Sequence, residues 1–133
     1  MAYNFDFDLA NGILRCRLEG RVTDEILQEF FRAGAAAAKR THPAAGVIDL
    51  SGVTSFEASS RTVRELSQVP PVIADPDLRR VVIAPSSEAF GMMRMFELEG
   101  EELRPNIHVV RSEAQAWAIL GVENPRFEPL QTE

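Results

Sequence analysis

Residues 46–66 read GVIDLSGVTSFEASSRTVREL, and the order of patterns within them decides the fold. GVIDL (46–50) is a short apolar run bounded by turn signals, as a central strand buried on both faces should be. SGVTSFEA (51–58) reads as a loop. Ser59 or Ser60 then opens a short helix that carries Val63 and Leu66 and stops at Pro70-Pro71. Buried strands alternating with helices call for a mostly parallel sheet, because parallel neighbours are joined by crossover connections.

Upstream, FDFDL (5–9) alternates apolar and acidic residues with period two, and Asn11-Gly12 follows, a pair suited to the positive φ angles of a tight hairpin. ILRCRLEG (13–20) then places Leu14, Cys16 and Leu18 on one face and Arg15, Arg17 and Glu19 on the other. Thr23 caps a helix with Asp24 and Glu25 at its positive end. Ile26, Leu27, Phe30, Phe31, Ala33, Gly34, Ala37 and Ala38 share one arc of that helix, and His42-Pro43 ends it. Its second half, AGAAAAKR, has little bulk and can lie close to the sheet.

Downstream, VVIA (81–84) is a second buried strand. A helix follows from Ser86 or Ser87 to Gly100, and IHVV (107–110) is the last strand. Ser112 and Gln115 form a capping-box pattern before AWAIL, with Gly121 as the stop. The tail, residues 122–133, packs loosely or frays. The expectation is a single α/β domain over residues 1–121, with about five strands, one antiparallel strand at the N-terminus, and about four helices.

Fourteen Lys and Arg against twenty Asp and Glu give a net charge of −6, with no basic cluster for a polyanion, so nucleic acid is not an expected partner. No apolar run reaches the ~18 residues of a membrane span, and MAYNFDFDLANG lacks the features of a secretory leader. With a single cysteine, Cys16, read as buried filler, a cytoplasmic setting is expected.

The catalytic and metal searches are empty. His42 falls in a turn and His108 inside a strand, neither at metal-ligand spacing from another ligand. There is no nucleophile elbow and no phosphate-cradling glycine loop. Glu97, Glu99, Glu101 and Glu102 lie toward the C-terminal end of a helix, a solvated surface. No cofactor and no enzymatic activity are expected. The competing enzymatic set is Asp49, Ser59 and Ser60.

Two features carry functional weight. In the first, Asp49 ends the central strand and Ser59-Ser60 open the next helix, where amide N–H groups favour an anion such as a phosphoserine. The plainer reading is an N-cap with Asp49 bracing a turn. Asp-Leu-Ser-x-Val-x-x-Phe followed by paired serines resembles the signature of STAS domains, the anti-anti-sigma factors and their relatives. RRVVIAPSSEAFGMMRMFE and VVRSEAQAWAILG are similar to the bacterial SpoIIAA-like, Sec14-related proteins, and the resemblance covers about residues 5–121. It implies a STAS-like, SpoIIAA-like fold and a non-catalytic regulatory module. In anti-anti-sigma factors the serine pair follows an aspartate and precedes a glycine, and the second serine, here Ser60, is phosphorylated. Ala58 and Arg61 stand at those flanking positions, and the long Arg61 side chain obstructs a kinase adapted to the small pattern.

The second feature is AFGMMRMFELEG (89–100). Ala89, Phe90, Met92, Met93 and Phe96 share one helical arc, while Met95 and Leu98 fall outside it. Adaptable thioethers and surplus apolar surface call for a second cover. The candidates are the tail with Phe127 and Leu130, a second subunit or partner protein, a small apolar ligand or lipid, and a membrane surface touched transiently. The resemblance implies a helix able to swing and expose the interior. The leading expectation is protein association, with a homodimer or partner protein; the alternative is a small apolar-ligand or lipid carrier or sensor.

Overall fold

The computed structural model describes residues 2–130. Its element order is β1 (Tyr3–Asp8), β2 (Ile13–Val22), α1 (Asp24–Thr41), β3 (Ala45–Phe56), α2 (Ser60–Ser67), β4 (Arg79–Ile83), α3 (Ser87–Glu99), β5 (Ile107–Val110), α4 (Glu113–Leu120) and β6 (Glu128–Pro129). One six-stranded sheet has the order β5-β4-β3-β2-β1-β6. β2 through β5 are parallel, and β1 is antiparallel to both its neighbours. The mixed α/β architecture and the antiparallel start agree with the sequence reading.

Period-two alternation sorts the sheet into two faces. Leu14 and Leu18 of β2, Leu50 of β3 and Val82 of β4 pack with Leu27, Phe30, Val63, Met93 and Phe96 from α1, α2 and α3. Ile13, Val47, Val81 and Ile83 face the other way, under Ala116 and Leu120 of α4. Three helices therefore cover one face and one helix covers the other.

Caps follow the local chemistry. The hydroxyls of Thr23, Ser59, Ser86 and Ser112 each accept an N–H in the first turn of the helix they open. His42 ends α1 at φ 49°, and Gly121 ends α4 at φ 68°. The Gln115 side chain accepts from the Arg111 N–H at 2.8 Å, one residue before the cap, so the expected reciprocal box is displaced.

Four readings are corrected. First, residues 51–56 are strand and not loop. β2 is ten residues long, and its second half finds backbone partners only if β3 continues, pairing Gly20 with Val53 and Val22 with Phe56 across two register shifts. Second, the hairpin turn is longer than Asn11-Gly12: β1 stops at Asp8, and among the turn residues only Gly12 takes a positive φ. The Asp8 carboxylate organises the loop by accepting from the Ala10 N–H and from Asn11 Nδ2. Third, residues 122–130 pack on the domain, one of the two alternatives expected of the tail, and add a strand; residues 131–133 of that tail lie outside the described residues. β6 extends the sheet beside β1, which raises the count to six strands, and the Leu130 N–H bonds the Phe5 carbonyl at 3.0 Å. Fourth, the acidic residues that alternate along FDFDL, the pattern of a half-buried strand, are themselves covered. Asp6 and Asp8 are buried, and Arg15 clasps Asp6 through Nε at 2.9 Å and a second guanidinium nitrogen at 2.6 Å, beneath the ring of Phe127.

Candidate functional site

The start of α2 holds both candidate serines, exposed to solvent. Ser59 is the cap: its Oγ accepts from the Thr62 N–H at 3.2 Å. Its own N–H donates to Asp24 Oδ1 at 2.6 Å, and its hydroxyl lies 3.4 Å from Asp24 Oδ2. The anion-favouring end of α2 thus already has a carboxylate from the start of α1. The Ser59 N–H holds the Asp24 carboxyl below the ordinary aspartate range, against a smaller opposing effect of desolvation. Ser60 is the first residue of the helix. Arg61 extends into solvent and reaches Glu65 at 3.4 Å, while Ala58 is sealed in the core.

Asp49 is not brought to the serines. It shares the α4 face of β3 with Val47, whereas α2 packs on the opposite face. Its Oδ1 accepts from the Ser51 N–H at 2.9 Å and from the Ser51 hydroxyl at 2.6 Å, and its Oδ2 lies 3.8 Å from Arg17 Nε. Asp49 therefore braces a sheet position. Its separation from Ser59 and Ser60 by the thickness of the sheet removes the geometry of a nucleophile and its base. Among the described residues no group of His, Cys, Asp and Glu is arranged to hold a metal ion.

On α3, Ala89, Met93 and Phe96 are buried, Phe90, Met92 and Met95 are half-buried, and Leu98 is 56% exposed. Phe90, Met92 and Met95 pack against the core cluster, and arginines add cover at two of them. Arg111 lies 4.8 Å above the Phe90 ring, and an Arg64 guanidinium nitrogen is 3.8 Å from Met95 Sδ while Nε of the same side chain bonds Glu99. The two tail residues divide: Phe127 lies near Trp117 on the α4 face, while Leu130 packs against the core cluster that includes Met93 and Phe96.

A well-formed opening lies elsewhere. A cavity of about 610 Å³ sits between α1, α2 and the 69–73 segment, above β2, β3 and β4. Its walls include Cys16, Ala35, Ala38, Ile48, Leu66 and Pro71, and of the six candidate residues on α3 only Phe96 reaches it. The small residues of α1 explain it. Gly34 does approach the sheet, close to Cys16 Sγ, but the Ala35 and Ala38 side chains are too short to fill the space toward α2. Val69 and Val72, both about half exposed, stand at its rim. The volume lies within the range of about 300–1,000 Å³ usual for ligand pockets.

Three arginines, Arg32, Arg80 and Arg104, line the same cavity. Arg104 is only 8% exposed, and burial, with the charge of Arg80, pulls its pKa down to about 10. Burial also lowers the pKa of Arg80. Residue spacing gave no sign that Asp24 reaches Ser59 or that Arg104 reaches Ser67, because these partners lie 35 and 37 residues apart.

No family model matches the chain, and no curated protein matches it in sequence. Solved structures do. The anti-sigma factor antagonist SpoIIAA in its unphosphorylated form superposes with a TM-score of 0.59 at 13% identity, covering 92% of this chain and 100% of that one. The fold is that of SpoIIAA. The Bacillus cell fate determinant SpoIIAA in its phosphorylated form gives a TM-score of 0.50 at 18% identity over 90% of this chain and 99% of that one. At these identities the likeness concerns the SpoIIAA-like, STAS fold, as the sequence motifs implied.

Proposed function

We propose that this chain is a non-catalytic regulatory module of the cytoplasm that acts by binding another protein. The observation that supports it is the paired surface of α2 and α3. The two helices pack side by side, joined by Arg64 with Glu99 and Gln68 with the Glu99 carbonyl, and display Ser60, Arg61, Met95 and Leu98 outward. That surface combines apolar contact with arginines, the residue types that anchor protein interfaces. The fold is shared with an anti-sigma factor antagonist, a protein that works through other proteins. The cytoplasmic assignment draws on the single free thiol, Cys16. Regulation here does not require a phosphate on Ser60, since the Asp24 carboxylate lies at the same helix end and would repel it.

The test is affinity capture with the wild-type protein and Leu98→Glu as matched baits, followed by native mass spectrometry. A second copy or another protein held by the wild type and lost from a folded Leu98→Glu supports the proposal. Equal recovery on both baits, or a clean monomer in each, rejects it. The cavity favours a second reading, a carrier or sensor of a small apolar ligand, with the ligand between α1 and α2 and not beneath the methionine helix.

A further inference from the structure

A cavity walled mostly by hydrocarbon should not need cations, yet three arginines line this one: the exposed Arg32 of α1 and the more deeply set Arg80 and Arg104. Among the described residues no carboxylate lies within ion-pair distance of Arg80 or Arg104. Arg104 makes one long hydrogen bond, to the Ser67 carbonyl at 3.4 Å, and sits 5.1 Å from the Phe96 ring centre. Arg80 makes one, to the Ile73 carbonyl at 3.0 Å. A guanidinium carries five N–H donors; among the described residues no fully buried side-chain nitrogen lacks a partner, so the remaining donors of both arginines open toward the cavity or solvent. Partly desolvated cations with no carboxylate in contact are unfavourable, and here the half-buried Arg80 lies near enough to the buried Arg104 to depress its pKa. Asp75 acts on Arg80 only from beyond ion-pair contact, and Glu65, at the cavity wall, is exposed and paired with Arg61.

We propose that the cavity binds an anionic amphiphile, its single carboxylate held between Arg80 and Arg104 and its hydrocarbon body laid against Cys16, Ile48, Leu66 and Phe96. The rigid fork of a guanidinium matches a carboxylate in two-point contact, and one negative head relieves the repulsion between both arginines. A neutral alcohol of equal length would gain the same apolar burial and leave the charges unmatched. This inference rests on the ligand-carrying reading above and adds to it the charge of the ligand.

Isothermal titration of the full chain with dodecanoate and with dodecanol, both below their micellar or solubility limits, tests it. Dodecanoate is expected to bind at least tenfold more tightly than dodecanol. In the double variant Arg80→Met, Arg104→Met that preference should vanish while dodecanol binding persists. If this variant does not fold by circular dichroism, Arg80→Met alone, at a half-buried position, should still reduce the preference severalfold. Ala38→Phe, which fills the cavity, should abolish binding of both. Dodecanol binding as tightly as dodecanoate overturns the charge assignment and leaves a neutral-ligand carrier standing. Failure of both probes to bind overturns the carrier reading as well.

Discussion

Met93 and Met95 are two residues apart on α3, and their different surroundings make a sharp comparison. Met93 is 1% exposed and belongs to the core that joins α3 to the sheet. Truncation to Ala removes buried thioether atoms and leaves a cavity that the neighbours fill incompletely, a loss of about 2–5 kcal/mol. Met95 is half-buried beneath the Arg64 guanidinium, which can follow a shortened side chain inward. Its truncation should cost about 1 kcal/mol or less, offset in part by the better helix propensity of Ala. An unfolding entropy of about 2.1 cal/mol/K per residue makes ~3 kcal/mol worth roughly 11 °C in a chain of this length. Thermal unfolding followed by circular dichroism should therefore show Met93→Ala melting about 7–18 °C lower and Met95→Ala within about 4 °C of wild type. Equal losses at the two positions would refute the assignment of one side chain to the core and the other to the surface.

Two further outcomes are expected. A Cβ on Gly100 would stand 2.7 Å from the Ser67 carbonyl oxygen and 3.2 Å from that of Phe96, so Gly100→Ala should lower stability in urea by about 1–3 kcal/mol. Gly52→Ala, whose near neighbour is the flexible Glu19 Cγ at 2.9 Å, should change it little, and the reverse ranking would show that α2 and α3 do not meet at Gly100. Burial, aided by the charge of Asp6, pushes the Cys16 thiol up to about 12, so iodoacetamide at pH 8 should label the folded protein far more slowly than the urea-unfolded chain. Because the unfolded thiol ionises near 9.0, stability contributed by this group is intact below that pH and declines as pH rises toward 12. Cys16→Val should remove that part of the alkaline decline. Native labelling at the unfolded rate would disprove the shift.

Most local patterns read in the sequence stand in the structure, the Asn11-Gly12 turn and the Gln115 box being the exceptions. Thr23, Ser59 and Ser112 cap helices because a short hydroxyl before an apolar-periodic run satisfies the first amides. GVIDL and VVIA lie in the sheet interior because their apolar residues suit both covered faces, and the one charge, Asp49, is met by Ser51 and Arg17. The extension of β3 through Ser51–Phe56 was illegible, since Gly52, Thr54 and Ser55 make a weak strand by themselves and only the pairing edge of β2 holds them extended. The candidate site divides in the same way. The serines at the start of α2 were visible from their capping pattern. Asp24, which holds Ser59 across 35 residues, was read only as a favourable dipole charge at α1.

The sequence by itself determined the alternation of strands and helices, the antiparallel start, and the caps, because these depend on side chains within a few residues of one another. Tertiary structure alone decided that Asp49 and the serines lie on opposite sides of the sheet. It alone left open space beside Ala35 and Ala38 and drew Arg80 and Arg104 to its wall. The physical reason is that a cavity and an unpaired charge are properties of what surrounds a residue. Those surroundings come from segments that lie far apart along the chain and meet only when the helices close over the sheet.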